Sequence, residues 1–175
     1  MKAYLIVAAS LLLGVLVANP ASAQGVFKVE TGEAFNKVVP KDFVLEANAI
    51  PTEKRNSVLV LTPSGARMVA GLLDTGGYSS QVREKYLGML IAEGSLDVCG
   101  HQLAVGSYGF GLAKAPGAAG GHAATFILYN QGGQKVTECT ADWDAKLKQP
   151  RPLQVIVKGA GGARLYLGRN WVELK

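Results

Sequence analysis

The chain has 175 residues, 18 Lys plus Arg against 13 Asp plus Glu, a formal net charge of +5 and 49% hydrophobic residues. Once a leader of 23 residues is set aside, that length suits one domain burying roughly 70% of the surface its unfolded form exposes, and excludes a second independent core. The basic residues of the last third, Lys146, Lys148, Arg151, Lys158, Arg164 and Arg169, are interleaved with apolar ones. They describe a solvated surface and give no footprint for nucleic acid.

Met1-Lys2, an uncharged apolar stretch from Tyr4 to Ala18, Pro20 and then Ala21-Ser22-Ala23 read as a secretory signal peptide over residues 1–23, cleaved after Ala23. The stretch holds Ser10 and Gly14 and falls short of the roughly 20 apolar residues of a membrane-spanning helix. Residues 24–175 then form a single β domain, periplasmic or secreted, without membrane insertion after cleavage. Lys2 is the only charge removed, so 17 Lys plus Arg face 13 Asp plus Glu and the mature net charge is +4.

Short segments rich in β-branched and aromatic residues, spaced by Gly, Pro and Asn, recur to the end of the chain. Phe43 to Ile50 alternates as one half-buried strand. Ser57 to Leu61 and Met68 to Leu73 form a hairpin around Thr62-Pro63-Ser64-Gly65. Ser80 caps a brief helical turn carrying Gln81 to Lys85. Leu87 to Ala92 and Ser95 to Cys99 follow, with Gly100-His101 turning the chain. In Ser107 to Ala113, Tyr108, Phe110 and Leu112 share one face, while Gly109 and Gly111 leave the other bare for close backbone approach or strong coiling. Lys114 to Ala123 is a flexible Gly-rich loop.

Ala124 to Tyr129 and Gln134 to Thr140 are strands joined through Asn130-Gln131-Gly132-Gly133. Asp142 caps one helical turn before Gln149-Pro150-Arg151-Pro152, and Leu153 to Lys158, Ala163 to Leu167 and Trp171 to Leu174 are the last strands. The sum is an all-β fold, a β-sandwich or small closed barrel of about nine or ten strands with one or two short helical turns. An outer-membrane barrel does not fit, because the aromatic girdles are missing and several strands are apolar on both faces.

Cys99 and Cys139 are the only cysteines, and in an exported domain two cysteines are most simply a disulfide. Closing a loop of about 40 residues would stabilise the fold by about 3 to 4 kcal/mol. The alternative is a copper or zinc site built from Cys99, His101, His122 and Cys139, since sulfur and imidazole suit those metals. Cys99-x-His101 nevertheless matches no standard zinc spacing.

No catalytic motif passes its context test. Gly77-Tyr78-Ser79-Ser80-Gln81 begins like a hydrolase elbow but has Gln81 where the second Gly is required. Gly109-Phe110-Gly111-Leu112-Ala113-Lys114 lacks the third glycine of a dinucleotide loop and lies inside a strand. Glu84, Glu93, Asp97, Asp142 and Asp144 are read as solvated carboxylates, no catalytic residue is assigned, and no cofactor is expected. The aromatics Tyr108, Phe110 and Tyr129, near the Gly-rich loop, are the candidate ligand-binding residues.

Val98-Cys99-Gly100-His101-Gln102-Leu103-Ala104-Val105-Gly106-Ser107-Tyr108 resembles the Val-x-Gly-x-x-Leu-x-x-Gly-x-Tyr hairpin of uncharacterised secreted bacterial β domains, families of unknown function. Gly100 and Gly106 would permit two reversals, Leu103 would plug the core and Tyr108 would start the next strand. The resemblance implies a small extracytoplasmic β-sandwich and carries no catalytic residue across. The expected function is a soluble binding or structural module, with a small ligand or an extracytoplasmic protein as partner. A copper or zinc protein and a hydrolase with an unrecognised site are the alternatives.

Overall fold

The computed structural model describes residues 25–114, 122–159 and 162–175. The predicted signal segment and most of the predicted Gly-rich loop lie outside the described residues. In chain order the elements are β1 (Lys28–Glu30), α1 (Glu33–Val38), β2 (Asp42–Leu45), β3 (Asn48–Leu61), β4 (Arg67–Leu73), α2 (Ser80–Lys85) and β5 (Gly88–Ala92). There follow β6 (Leu96–Val98), β7 (His101–Leu103), β8 (Gly106–Lys114), β9 (Ala124–Asn130), β10 (Lys135–Trp143), β11 (Arg151–Lys158), β12 (Gly162–Gly168) and β13 (Asn170–Leu174).

Alternating apolar residues and short turn-rich connections give antiparallel neighbours throughout, in the order β1-β3-β4-β5-β8-β9-β10-β13-β12-β11. The ten strands curl into a nearly closed antiparallel barrel. β2 pairs beside β3, and the β6–β7 hairpin hangs from β13 through Val98 and Leu174.

Two apolar clusters explain why some strands are apolar on both faces. Val58, Val60, Met68, Leu90, Phe110, Phe126, Leu128, Leu165 and Leu174 fill the barrel, with Leu96, Val98 and Leu103 from the β6–β7 hairpin in the same cluster. The interior is therefore a packed hydrocarbon core, the inverse of the polar lumen of a membrane barrel. Leu59, Val69, Leu73 and Met89 face the other way. Phe43 and Leu45 of β2, Ile50 of β3, Val82 of α2 and Tyr86 pack over them as a second cluster. β4 belongs to both clusters, and six of its seven residues are buried.

Several sequence expectations are corrected. Phe43 to Ile50 is two strands of a hairpin: Leu45 pairs with Asn48, and Glu46 and Ala47 carry φ of 47° and 63°. Two consecutive positive φ angles make the type I′ reversal, which usually selects Asn or Gly. The turn shifts the inward face from the odd positions Phe43 and Leu45 to the even position Ile50, leaving Ala47 and Ala49 exposed. The apolar character of those two alanines imitates an unbroken alternation and hides the reversal. Ala47→Gly removes the Cβ clash of the left-handed conformation and is expected to raise unfolding free energy by about 0.5 to 1 kcal/mol, read by urea denaturation.

Ser79, not Ser80, caps α2, its side chain accepting from the Val82 amide. The turn after β6 sits at Cys99-Gly100, both at positive φ, one residue earlier than expected. No helical turn starts at Asp142: β10 runs on to Trp143, with Asp142 paired to Trp171. It is Asp144 whose Oδ1 accepts from the Lys146 amide at 3.0 Å. Gly106 has ordinary φ and supplies room instead, since a Cβ there would lie 3.2 Å from the Tyr108 hydroxyl.

Candidate functional site

The most chemically suggestive cluster joins the β2–β3 turn to the end of α2. The Glu46 carboxylate accepts hydrogen bonds at Oε1 from the Lys85 ammonium and, at 2.6 Å, from the Tyr86 hydroxyl. Lys85 Nζ also donates to the Gly133 carbonyl at 2.7 Å and stands 4.9 Å from the centre of the Tyr129 ring. The Glu46 amide donates to the Gln131 carbonyl at 2.8 Å. The Lys85 and Tyr86 hydrogen bonds hold Glu46 below the usual carboxylate range. Burial, reinforced by the neighbouring carboxylate, pushes the Tyr86 phenol up.

A carboxylate, an amine and a phenol beside a left-handed backbone resemble catalytic machinery. The geometry argues for a clamp. Glu46 Oε1 is engaged twice, Tyr86 is 1% exposed, and a Cβ on Gly133 would collide with the Glu46 side chain. Both strong donors of the cluster are thereby committed to one carboxylate oxygen, the arrangement of a structural tie. The cluster fastens the β2–β3 hairpin to the β9–β10 turn.

Its sequence signal lay in β8. A Cβ on Gly109 would lie 2.7 Å from the Tyr86 ring, and one on Gly111 would strike the Lys85 carbonyl. The bare face of that strand is thus where the segment after α2 lies down.

The opening of the barrel is elsewhere. β11 pairs with β12 alone, and its other edge approaches β3 without hydrogen-bonding to it among the described residues. Between them is a groove of about 350 Å³ lined by Val29 to Gly32 and Phe35 on one side, Arg55 to Val58 of β3, and Arg151 to Val155 of β11. That volume falls within the range of small-ligand sites. Val58 and Leu153 form its apolar floor. Arg55 and Arg151 are exposed along it, and among the described residues neither has a carboxylate partner within ion-pair distance. Glu30, the one carboxylate in the lining, is held by Lys28 at 2.8 Å.

The residues singled out from sequence lie apart from this groove. Cys99 and Cys139 form a disulfide with Cα atoms 6.2 Å apart. Neither sulfur is then a thiolate. His122 stacks on Trp143 with ring centres 4.1 Å apart, and His101 lies on β7. The set Cys99, His101, His122 and Cys139 is not brought together as a ligand cluster, and among the described residues no three His, Cys, Asp or Glu side chains are grouped to hold a metal ion.

Phe110 is fully buried against Phe126, and Tyr108 is 8% exposed with its hydroxyl donating to the Ala104 carbonyl. Tyr129 lies edge-on to Tyr86 on the outer cluster. All three serve packing. Ser79, the candidate elbow serine, is occupied as a helix cap.

Sequence reasoning did not single out Arg55, Ser57 or Gln154. Their only signal is positional, since nothing in their chemistry marks them until topology sets β3 beside β11. Comparison with protein-family models, with curated proteins and with solved structures returns no match. Among the described residues no helix is long and apolar enough to cross a membrane, and the disulfide is consistent with an oxidising compartment.

Proposed function

We propose that this chain is an exported, non-catalytic binding module of the periplasm or extracellular space, with its ligand seat in the seam between β3 and β11. The observation that carries the reading is the groove itself: an apolar floor, two unengaged guanidiniums and an unpaired strand edge converge where the barrel fails to close. Sites of this kind use an apolar surface for affinity and a few polar groups for orientation. The engagement of Lys85 and Tyr86 by Glu46 and the pairing of the two cysteines support binding over catalysis. The signal-like leader and the likeness of Val98 to Tyr108 to secreted β domains support export.

Amide NMR of the purified protein titrated with a fragment library tests the seat. Shifts clustered on residues 55–58 and 151–155 are expected. Shifts clustered at Glu46 and Lys85, or no saturable binder at all, would overturn the reading.

A further inference from the structure

From β3 to β11 the barrel path contains nine strands, β3, β4, β5, β8, β9, β10, β13, β12 and β11, and every step along it is antiparallel. Eight reversals return the chain to its starting direction, so β3 and β11 run the same way. An odd circuit cannot close antiparallel. The strand that restores even parity is β1, but it spans only Lys28–Glu30 and, among the described residues, pairs with Leu59–Leu61 of β3 alone. Continued in register, its line would run beside residues 55–58. Instead the chain leaves the sheet at Thr31-Gly32, where Gly32 takes φ of 72°, and enters α1. The groove is the vacated remainder of the β1 lane.

We propose that this lane takes an extended acidic segment of another polypeptide, added as a strand antiparallel to both β3 and β11. The proposal rests on the seam being the ligand seat and names its occupant. Residues 55–58 offer a lane about 13 Å long at the rise of a strand, and β11 offers unpaired backbone from Leu153 onward. Pro152 lacks a donor, so the ladder hydrogen bonds β11 can offer begin beyond it.

Charge selects the partner. Arg55 and Arg151 flank the lane and Glu30 is already neutralised, which favours carboxylates. A second copy of this chain is disfavoured. Antiparallel pairing of β11 with its own copy would bring Arg151 toward Lys158 of the other, and like charges facing across a ladder repel. The seam is also drawn in: β3 and β11 come within 8 Å at Cα, less than the roughly 9.6 Å between the outer two of three strands. The incoming strand therefore spreads it, and binding carries the cost of that opening.

The test uses three labelled heptapeptides read by fluorescence anisotropy on the purified protein. One is Thr-Val-Glu-Val-Glu-Val-Thr, one has Lys in place of both Glu, and one has Pro in place of the central Val. The acidic peptide is expected to saturate, with the Lys and Pro peptides weaker by about tenfold or more, as loss of charge-assisted or ladder hydrogen bonds dictates. The double variant Arg55→Glu, Arg151→Glu changes exposed side chains only, keeps the melting behaviour, and should reverse the preference between the Glu and Lys peptides. Equal binding of all three, an unchanged preference in the variant, or no peptide binding overturns the proposal. If peptides fail while fragments still shift residues 55–58 and 151–155, the occupant is wrong and the seat stands. If both fail, the seat falls too.

Discussion

Replacing Cys99 and Cys139 together by alanine is expected to lower the unfolding free energy by about 4 kcal/mol. The bond closes a 40-residue separation, and without it the unfolded chain regains the entropy of that loop. The native state also loses a tether. The β6–β7 hairpin carries Leu96, Val98 and Leu103, all 2% exposed or less, yet among the described residues it joins the sheet through β13 alone, reinforced by the Asp97–Lys175 backbone pair and the Cys99 amide on the Glu173 carbonyl. Urea titrations of the disulfide-bonded protein and the double variant, at matched slopes, read the difference directly. A loss below about 1 kcal/mol would mean that hairpin packing alone holds that end of the barrel.

Glu46→Ala should cost about 2 to 3 kcal/mol, because it leaves the buried Tyr86 hydroxyl without its acceptor and takes the counter-charge from the Lys85 ammonium, which keeps the Gly133 carbonyl and the Tyr129 ring face. Glu46→Gln retains an acceptor and should cost less. The clamp also predicts a pH profile. With the folded pKa of Glu46 depressed by Lys85 and Tyr86, its contribution is complete above the ordinary carboxylate pKa and is lost as pH falls through the depressed value. Tyr86 behaves oppositely: burial, reinforced by the Glu46 carboxylate, raises its pKa above the ordinary phenol range, so its share is intact below that range and fades as pH rises through the raised value. Urea midpoints measured from acid to alkaline pH should decline at both ends, and Glu46→Gln should flatten the acid limb attributable to this group. An unchanged acid limb, or an Ala variant as stable as the parent, would show that the hairpin is held by Phe43, Leu45 and Ile50 alone.

The strands were legible wherever one face met the core and the other met solvent or a second cluster. Met68 to Leu73, Leu87 to Ala92 and Ala124 to Tyr129 carry that pattern plainly, and Cys99 with Cys139 needed only the compartment. Reversals without Gly or Asn were harder to read. Glu46-Ala47 reverses the chain because hydrogen bonds to Lys85, Tyr86 and Gln131, distant in sequence, hold it there. The aromatic alternation of Tyr108 and Phe110 marked a core face, not a ligand face. The groove was illegible for a different reason: it lies where nine strands in antiparallel succession leave β3 and β11 parallel and, among the described residues, unpaired, a property of strand order that no window of sequence contains.

Amide hydrogen exchange along β11 tests that open circuit most directly. Among Leu153 to Lys158, alternate amides should exchange as slowly as those of β12 while the ones turned toward β3 exchange as an unpaired edge does, with fast exchange also at the free amides of residues 55–58. Uniform protection along β11, matching β12 residue for residue, would mean that the barrel is closed and that there is no vacant lane to fill.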